Sequence, residues 1–344
     1  MKKSQSILIL IVMCLIAILI SISWGSVSIS FSEIVAIIHY KLVGLPLADH
    51  VQETTVSILW FIRLPRILMA YIVGAALAVS GTVMQSILRN PLASLYTLGV
   101  SSGASLSAAL YIVLGISLSF LGFFALPLFG FLGGFITILI IMSFTAQLDK
   151  NMSNQTIVLV GMVFSLFVNG LLTLVIVLSR EHIEPLIFWQ MEGFSGRNRS
   201  EVFITFLMTV FCIIFLMGYA REMDLLSFGE EQALSVGVET KKVKWQLISI
   251  CALLTGTAVA FVGIIGFIDL IAPRVTQKIF GSSHILVLPM SALFGGVLMV
   301  TADLIGRTVL APQEIPVGAV PALIGTSFFA YIYFHKRKGS DLLC

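Results

Sequence analysis

Long apolar runs alternate with short polar breaks along almost the whole chain, and their length decides the class. A helix needs about 20 residues to cross a hydrocarbon core of about 30 Å at a rise of about 1.5 Å per residue. Runs of that kind cover residues 7–22, 66–86, 99–116, 119–145, 155–178, 201–219, 245–266, 286–305 and 317–334. Residues 267–281 hold Asp269, Pro273, Arg274 and Lys278, and suit a shorter crossing packed inside protein. The expectation is an all-α polytopic membrane protein of ten transmembrane helices, one transmembrane domain over residues 1–344.

The polar breaks give direction. Lys2-Lys3 ahead of the first run predicts an uncleaved span with a cytoplasmic N-terminus, since no small-residue cleavage site is set off by a polar segment. Residues 29–65 read as an external loop with a short amphipathic helix, and 221–244 as a cytoplasmic loop. With this threading, thirteen of the 20 Lys and Arg residues face the cytoplasm and seven face out, the bias expected of inner loops. Both termini are then cytoplasmic. Trp189 suits a membrane interface.

The stretch Arg63–Ser107 organises the rest. It opens on Arg63-Leu-Pro-Arg66, ends at Arg89-Asn90-Pro91, and carries Gly74, Ala78 and Gly81 at i, i+4, i+7. That spacing predicts a face of nearly bare backbone against which another helix can pack closely. Gly74-x-Ala-x-Ala-x-x-Gly81 recurs as Gly256-x-Ala-x-Ala-x-x-Gly263, an offset of 182 residues. Five spans separate the copies, so an inverted internal repeat of the kind transporters use is expected.

Composition narrows the function. Only 11% of residues are charged against 58% hydrophobic, and mean hydropathy is +1.06. A net charge of +3 without a clustered basic face argues against nucleic-acid binding. Cys14, Cys212 and Cys251 lie in apolar runs and Cys344 is the last residue, with neither disulfide framework nor metal-ligand spacing. No P-loop sequence occurs.

Candidate chemistry is sparse. The ionisable residues inside apolar runs are Asp269, Arg274, Asp303 and Arg307, with Glu314 in a Pro-Gln-Glu-Ile-Pro turn. Two readings fit them: a proton relay in an ion-coupled secondary transporter, and structural pairing such as Asp303 with Arg307 at i, i+4. In the 221–244 loop, Ser227-Phe-Gly-Glu230 fits a capping box opening a helix that runs to Val236 and stops at Gly237. Leu226, Phe228, Ala233 and Leu234 give that helix an apolar side, for lipid or for a soluble partner. The outer arginines Arg63, Arg66 and Arg307 fit interface snorkelling, or a fixed set of guanidinium groups that receives carboxylates.

These motifs together resemble the permease subunits of type II ABC importers for ferric siderophores, haem and cobalamin. The carriers are Arg63-Leu-Pro-Arg66, Val73–Gly81, Arg89-Asn-Pro-Leu-Ala93, Leu98-Gly-Val-Ser-Ser-Gly103, Phe228-Gly-Glu-Glu-x-Ala233 with Gly237, Leu288-Pro-Met-Ser-Ala292, Ala302-Asp303, and Ala311–Gly318 with Leu323-Ile-Gly325. The resemblance implies a permease in a bacterial inner or plasma membrane, most simply for a ferric siderophore, with haem or cobalamin as the alternative cargo. It implies a homodimer or a pair with a close homologue, two cytoplasmic ATPase subunits and an external binding protein. No cofactor is implied on this chain, with ATP and Mg on the partner ATPase. It casts Arg63, Arg66 and Arg307 as the docking residues for the binding protein, and Asn90 and Leu92 as the cytoplasmic gate. Ser227, Phe228, Gly229, Glu230, Ala233, Leu234 and Gly237 become the coupling helix that meets the ATPase. Asp269 and Arg274 depart from the family pattern, where glycine and histidine are usual, and either pair with each other or alter the path. Glu192 likewise stands where glycine is more usual.

Overall fold

The structure, a computed structural model, describes residues 3–340 apart from 26, 49, 50, 117, 119, 120, 180, 182 and 192, with side chains omitted at 183, 329 and 331–340. Lys2, Arg180, Glu192 and Cys344 therefore lie outside the described residues, as do the side chains of the basic cluster Lys336–Lys338. Ten helices match the predicted spans: α1 Lys3–Ser23, α2 Leu64–Ile87, α3 Val100–Val113, α4 Ala125–Leu148, α5 Asn154–Leu178, α6 Arg199–Gly218, α7 Thr240–Val262, α8 Ile268–Phe280, α9 His284–Thr308 and α10 Ala319–Ser340. Seven candidate spans are long and apolar enough to cross a membrane among the described residues. The other three are α3, α8 and α10, the last apolar through Phe328.

Helix α2 is the hub. It is buried along nearly its whole length, packed on α9, α8, α7 and α6. Its small residues explain the closeness. A Cβ on Gly74 would collide with the backbone of Gly295 in α9, and one on Gly81 with the backbone of Asp269 in α8. A Cβ on Gly295 would in turn meet Ala78 and the backbone of Gly74. One stripe thus serves two partner helices. Gly81→Leu is expected to lower stability by about 1–3 kcal/mol or more, because the obstacle is backbone and cannot rotate away. Gly170→Ala in α5, where a Cβ meets nothing within 4 Å, is expected to be neutral or to gain up to about 1 kcal/mol. Equal losses for the two, measured by thermal unfolding in detergent, would contradict this packing.

The repeat is unequal in its use of glycine. Gly81 sits inside α2, whereas Gly263 ends α7 in a positive-φ conformation (φ 76°). The chain then runs without helix through Gly266 and re-enters α8 at Phe267. Helix α8, at 13 residues, extends about 20 Å and cannot cross alone. Its Ile268, Asp269, Ile271 and Ala272 are buried in protein, the condition under which irregular backbone is tolerated at membrane depth. Helix α3 follows the same logic: it is preceded by a buried turn, with Ala93, Ser94, Leu95 and Leu98 inside.

Two local expectations are corrected. Trp189 does not face lipid or solvent as an interfacial anchor would. It is 3% exposed, packed with Ala104, Ala108 and Val259, and its ring edge reaches Gly130. Pro65 does not mark the helix entrance either. The helix begins upstream at Glu53–Ser57 and reaches α2 through a wide turn, Ile58–Arg63, of π-helical geometry. Pro65 lacks an N–H and crowds the preceding turn, and the widened turn accommodates it.

Candidate functional site

The expected functional residues gather at the two ends of α2. At the Arg66 end, the arginines are turned inward: Arg63, Arg66 and Arg307 are 4%, 7% and 8% exposed. Arg66 donates from Nε (3.0 Å) and Nη2 (2.8 Å) to Asp303 of α9, and from Nη1 (2.7 Å) and Nη2 (3.1 Å) to Glu314. Arg307 donates to the backbone oxygen and hydroxyl of Ser21 in α1, with Nε 3.6 Å from Asp303. Arg63 donates to the carbonyls of Ile22 (2.6 Å), Ser23 and Val27.

The expected i, i+4 contact between Asp303 and Arg307 is therefore present but secondary. Asp303 is fully buried and mainly Arg66's partner. Buried arginines hold when their donors find oxygens, and Ser21, Ile22, Ser23 and Val27 supply oxygens that the carboxylates do not, while Arg307 Nε makes only the long approach to Asp303. Glu314, on the α9–α10 loop, is the open member, its side chain 47% exposed. The hydrogen bond from Arg66 holds its carboxyl below the ordinary range.

At the other end α2 closes in a Schellman turn. Arg89 adopts φ 50°, its N–H reaches the carbonyl of Ser86 (3.2 Å), and that of Asn90 reaches Gln85 (3.2 Å). The Asn90 side chain then accepts from the backbone N–H of Leu92 (2.9 Å), fixing a tight turn that leaves Leu92 55% exposed. Asp269 and Arg274 do not pair. Asp269 accepts from the Ser94 hydroxyl in the turn that follows Leu92, while Arg274 faces a polar cavity near Arg89.

The expected single helix over 227–236 is two helices, Ala220–Phe228 and Glu230–Ser235, broken at Gly229 (φ 142°, ψ 151°). The capping box is absent. Ser227 is in the last turn of the first helix and its hydroxyl donates to the Asp224 carbonyl (2.6 Å). Glu230 instead binds Lys244 of α7 at 2.5 Å. A buried ammonium demands a counter-charge more strongly than a helix end demands a cap, and that decides the carboxylate's direction. The second helix does stop at Gly237 (φ 88°), in a second Schellman turn. Leu226 and Ala233 point into the core, while Phe228 (69%) and Leu234 (56%) are exposed.

Two clamps that hold these helices were missed in the sequence. Lys244 is fully buried and also donates to the Met152 carbonyl (2.9 Å). A lysine directly ahead of the apolar run 245–266 was the only signal, and it does not set Lys244 apart from Lys241 and Lys242. Asp224 accepts from the backbone N–H of His284 (2.9 Å), the first residue of α9, and faces its Nδ1 at 2.5 Å. It thereby caps α9 from a different helix, a contact that spacing along the chain cannot announce.

This arrangement has relatives. The profile of the FecCD transport family matches residues 13–335. The chain belongs to that family. An ABC transporter permease of Bacillus subtilis is 34% identical over 328 residues, 95% of this chain and 93% of the relative. The molybdate import permease of Haemophilus influenzae is 32% identical over 332 residues (96% and 95%), and the Fe(3+) dicitrate permease of Escherichia coli 34% over 275 residues (80% and 84%). A solved metal-chelate type ABC transporter in an inward-facing conformation superposes with a TM-score of 0.83 at 28% identity, covering 96% of this chain and 99% of that one. As a FecCD protein the chain is a multi-pass permease subunit of an ABC importer, a transport component rather than an enzyme. That sets aside the ion-coupled reading: Asp303 and Glu314 hold Arg66, and Asp269 holds Ser94.

Proposed function

We propose that this permease carries a ferric siderophore inward, as a homodimer, with a binding protein at the Arg66 end and two ATPase subunits at the Arg89 end. ATP and Mg belong to those ATPase subunits. The observation that supports the cargo best is the near full-length likeness to a metal-chelate transporter. The orientation rests on the excess of basic residues on the Arg89 side and places both termini in the cytoplasm.

In this reading the binding protein presents carboxylates to Arg63, Arg66 and Arg307. Because those arginines are already engaged, an incoming carboxylate takes the place of Glu314 on Arg66. Asn90 and Leu92 form the inner gate. Phe228 and Leu234 are the apolar anchors that seat the two short helices on the ATPase, and the clamps at Lys244 and Asp224 pass the ATPase's movement to α7 and α9.

The test is reconstitution in liposomes with the partner subunits, using labelled ferric siderophores, haem, cobalamin and molybdate. ATP-dependent uptake of a ferric siderophore above the others is expected. Uptake of molybdate or cobalamin alone would overturn the cargo assignment. Phe228→Ser is expected to weaken ATPase capture by at least about tenfold while leaving thermal stability unchanged, since the ring is exposed in the isolated chain.

A further inference from the structure

A polar cavity of about 330 Å³ lies where four segments meet: the end of α2, the last turn of the helix Ala220–Phe228, α8 and the start of α9. Its lining is Gln85, Ser86, Arg89, Asn90, Ser227, Arg274, Gln277, Ser282 and His284. Two guanidinium groups and three hydroxyls stand there with no carboxylate among them. The Arg89 guanidinium reaches across to the turn after Phe228, its Nη1 3.7 Å from where a Cβ on Gly229 would sit. Asp224 stands behind His284, engaged with the start of α9.

Three lining side chains are deeply buried yet incompletely bonded. Gln85, Ser86 and His284 are 5%, 7% and 2% exposed, and Gln85 Oε1, Ser86 Oγ and His284 Nε2 have no hydrogen-bond partner. Buried polar atoms without partners are costly, so a cluster of them on one cavity points to a ligand that completes it. Two cations and hydroxyl donors select an oxyanion. The amide of Gln85 refines the choice. Its Nε2 already donates to the carbonyls of Asp269 and Leu270, leaving Oε1 to accept a hydrogen. Hydrogen phosphate carries such a hydrogen and sulfate at neutral pH does not.

We propose that this cavity binds hydrogen phosphate, held by Arg89 and Arg274 with Ser86 donating and Gln85 accepting. The site itself is independent of the transport reading. Its consequence rests on that reading: a bound phosphate ties the gate turn at Arg89 to the short helices at Ser227 and braces the inner mouth.

The test uses the full-length chain alone in lipid nanodiscs and radiolabelled orthophosphate in equilibrium dialysis, at ionic strength fixed with chloride. One saturable site per chain is expected, with sulfate competing at least about tenfold more weakly for want of one hydrogen bond. Arg89→Gln and Arg274→Gln should each weaken binding at least about tenfold, and Arg274→Lys by less. Arg199→Gln, near the Arg66 end, should change nothing. Ser86→Ala, which keeps both cations and removes a hydroxyl that has no other partner, serves if an arginine variant fails to fold, and should also weaken binding. No saturable phosphate binding by the unaltered chain, or equal affinity in folded variants, would overturn the proposal. So would sulfate binding as tightly as phosphate. No ATPase, binding protein or cargo enters the measurement, so its failure and a failure of the uptake assay are separate results.

Discussion

Replacing Arg66 by methionine is expected to destabilise the chain by about 3–5 kcal/mol, the range for removing one partner of a buried ion pair. The cost comes from what is left behind. Asp303 has no solvent exposure, and without Arg66 the one ion pair left to it among the described residues is Arg307 at 3.6 Å, which is already committed to Ser21. Glu314 adds little to the loss, because water can reach its half-exposed carboxylate. The double variant Arg66→Met/Asp303→Leu should recover most of the stability, since exchanging a buried pair for apolar groups is often close to neutral. Denaturant unfolding of the three variants in micelles decides the matter. A single-variant loss below about 1 kcal/mol, the range of an exposed pair, would mean that Asp303 is not truly desolvated. The same geometry changes how docking is probed. Charge reversal at Arg66 perturbs the fold and any partner at once, whereas Glu314→Gln frees an arginine and leaves Asp303 paired. Tighter binding-protein capture by Glu314→Gln is therefore the cleaner result to seek.

Much of this architecture was legible because it is local. Span lengths, the short α8, the stripe Gly74–Ala78–Gly81 and the stop at Gly237 follow from hydropathy, periodicity and backbone freedom, which act over a few residues. The end of α2 at Arg89-Asn90-Pro91 was legible for the same reason, although the turn is closed by Arg89 in a positive-φ conformation rather than by the proline alone. What escaped depends on partners far along the chain. Arg66 meets Asp303 237 residues away, and Asp224 meets His284 at a separation of 60. Arg63 and Arg66 looked like surface charges because no carboxylate stands within several residues of them, whereas Arg307 had Asp303 one turn away. Trp189 looked interfacial because its type often is, and only the fold shows that it fills a gap beside Gly130. Ser227 and Glu230 carry a sound capping pattern locally, and a buried lysine fourteen residues on overrode it.

That override sets the second large effect. Glu230→Gln is expected to cost about 2–4 kcal/mol, somewhat below a wholly buried pair because the Glu230 side chain is 28% exposed and partly screened. Lys244 keeps the Met152 carbonyl, but a carbonyl dipole does not balance a full charge in a site with no solvent access. Adding Lys244→Met should return stability toward that of the unaltered chain, because the stranded ammonium is then gone. The pair also separates stability from transmission. In the double variant the helix Glu230–Ser235 keeps its Schellman stop at Gly237 and its Ala233 contact with the core, yet loses its ionic tie to α7. Amide exchange over 230–235 should therefore rise in the single and double variants alike, while the unfolding midpoint recovers only in the double. If exchange instead recovers together with stability, the Lys244 clamp is not what holds the short helix. The core contact at Ala233 then carries it, and movement would pass to α7 through packing rather than charge.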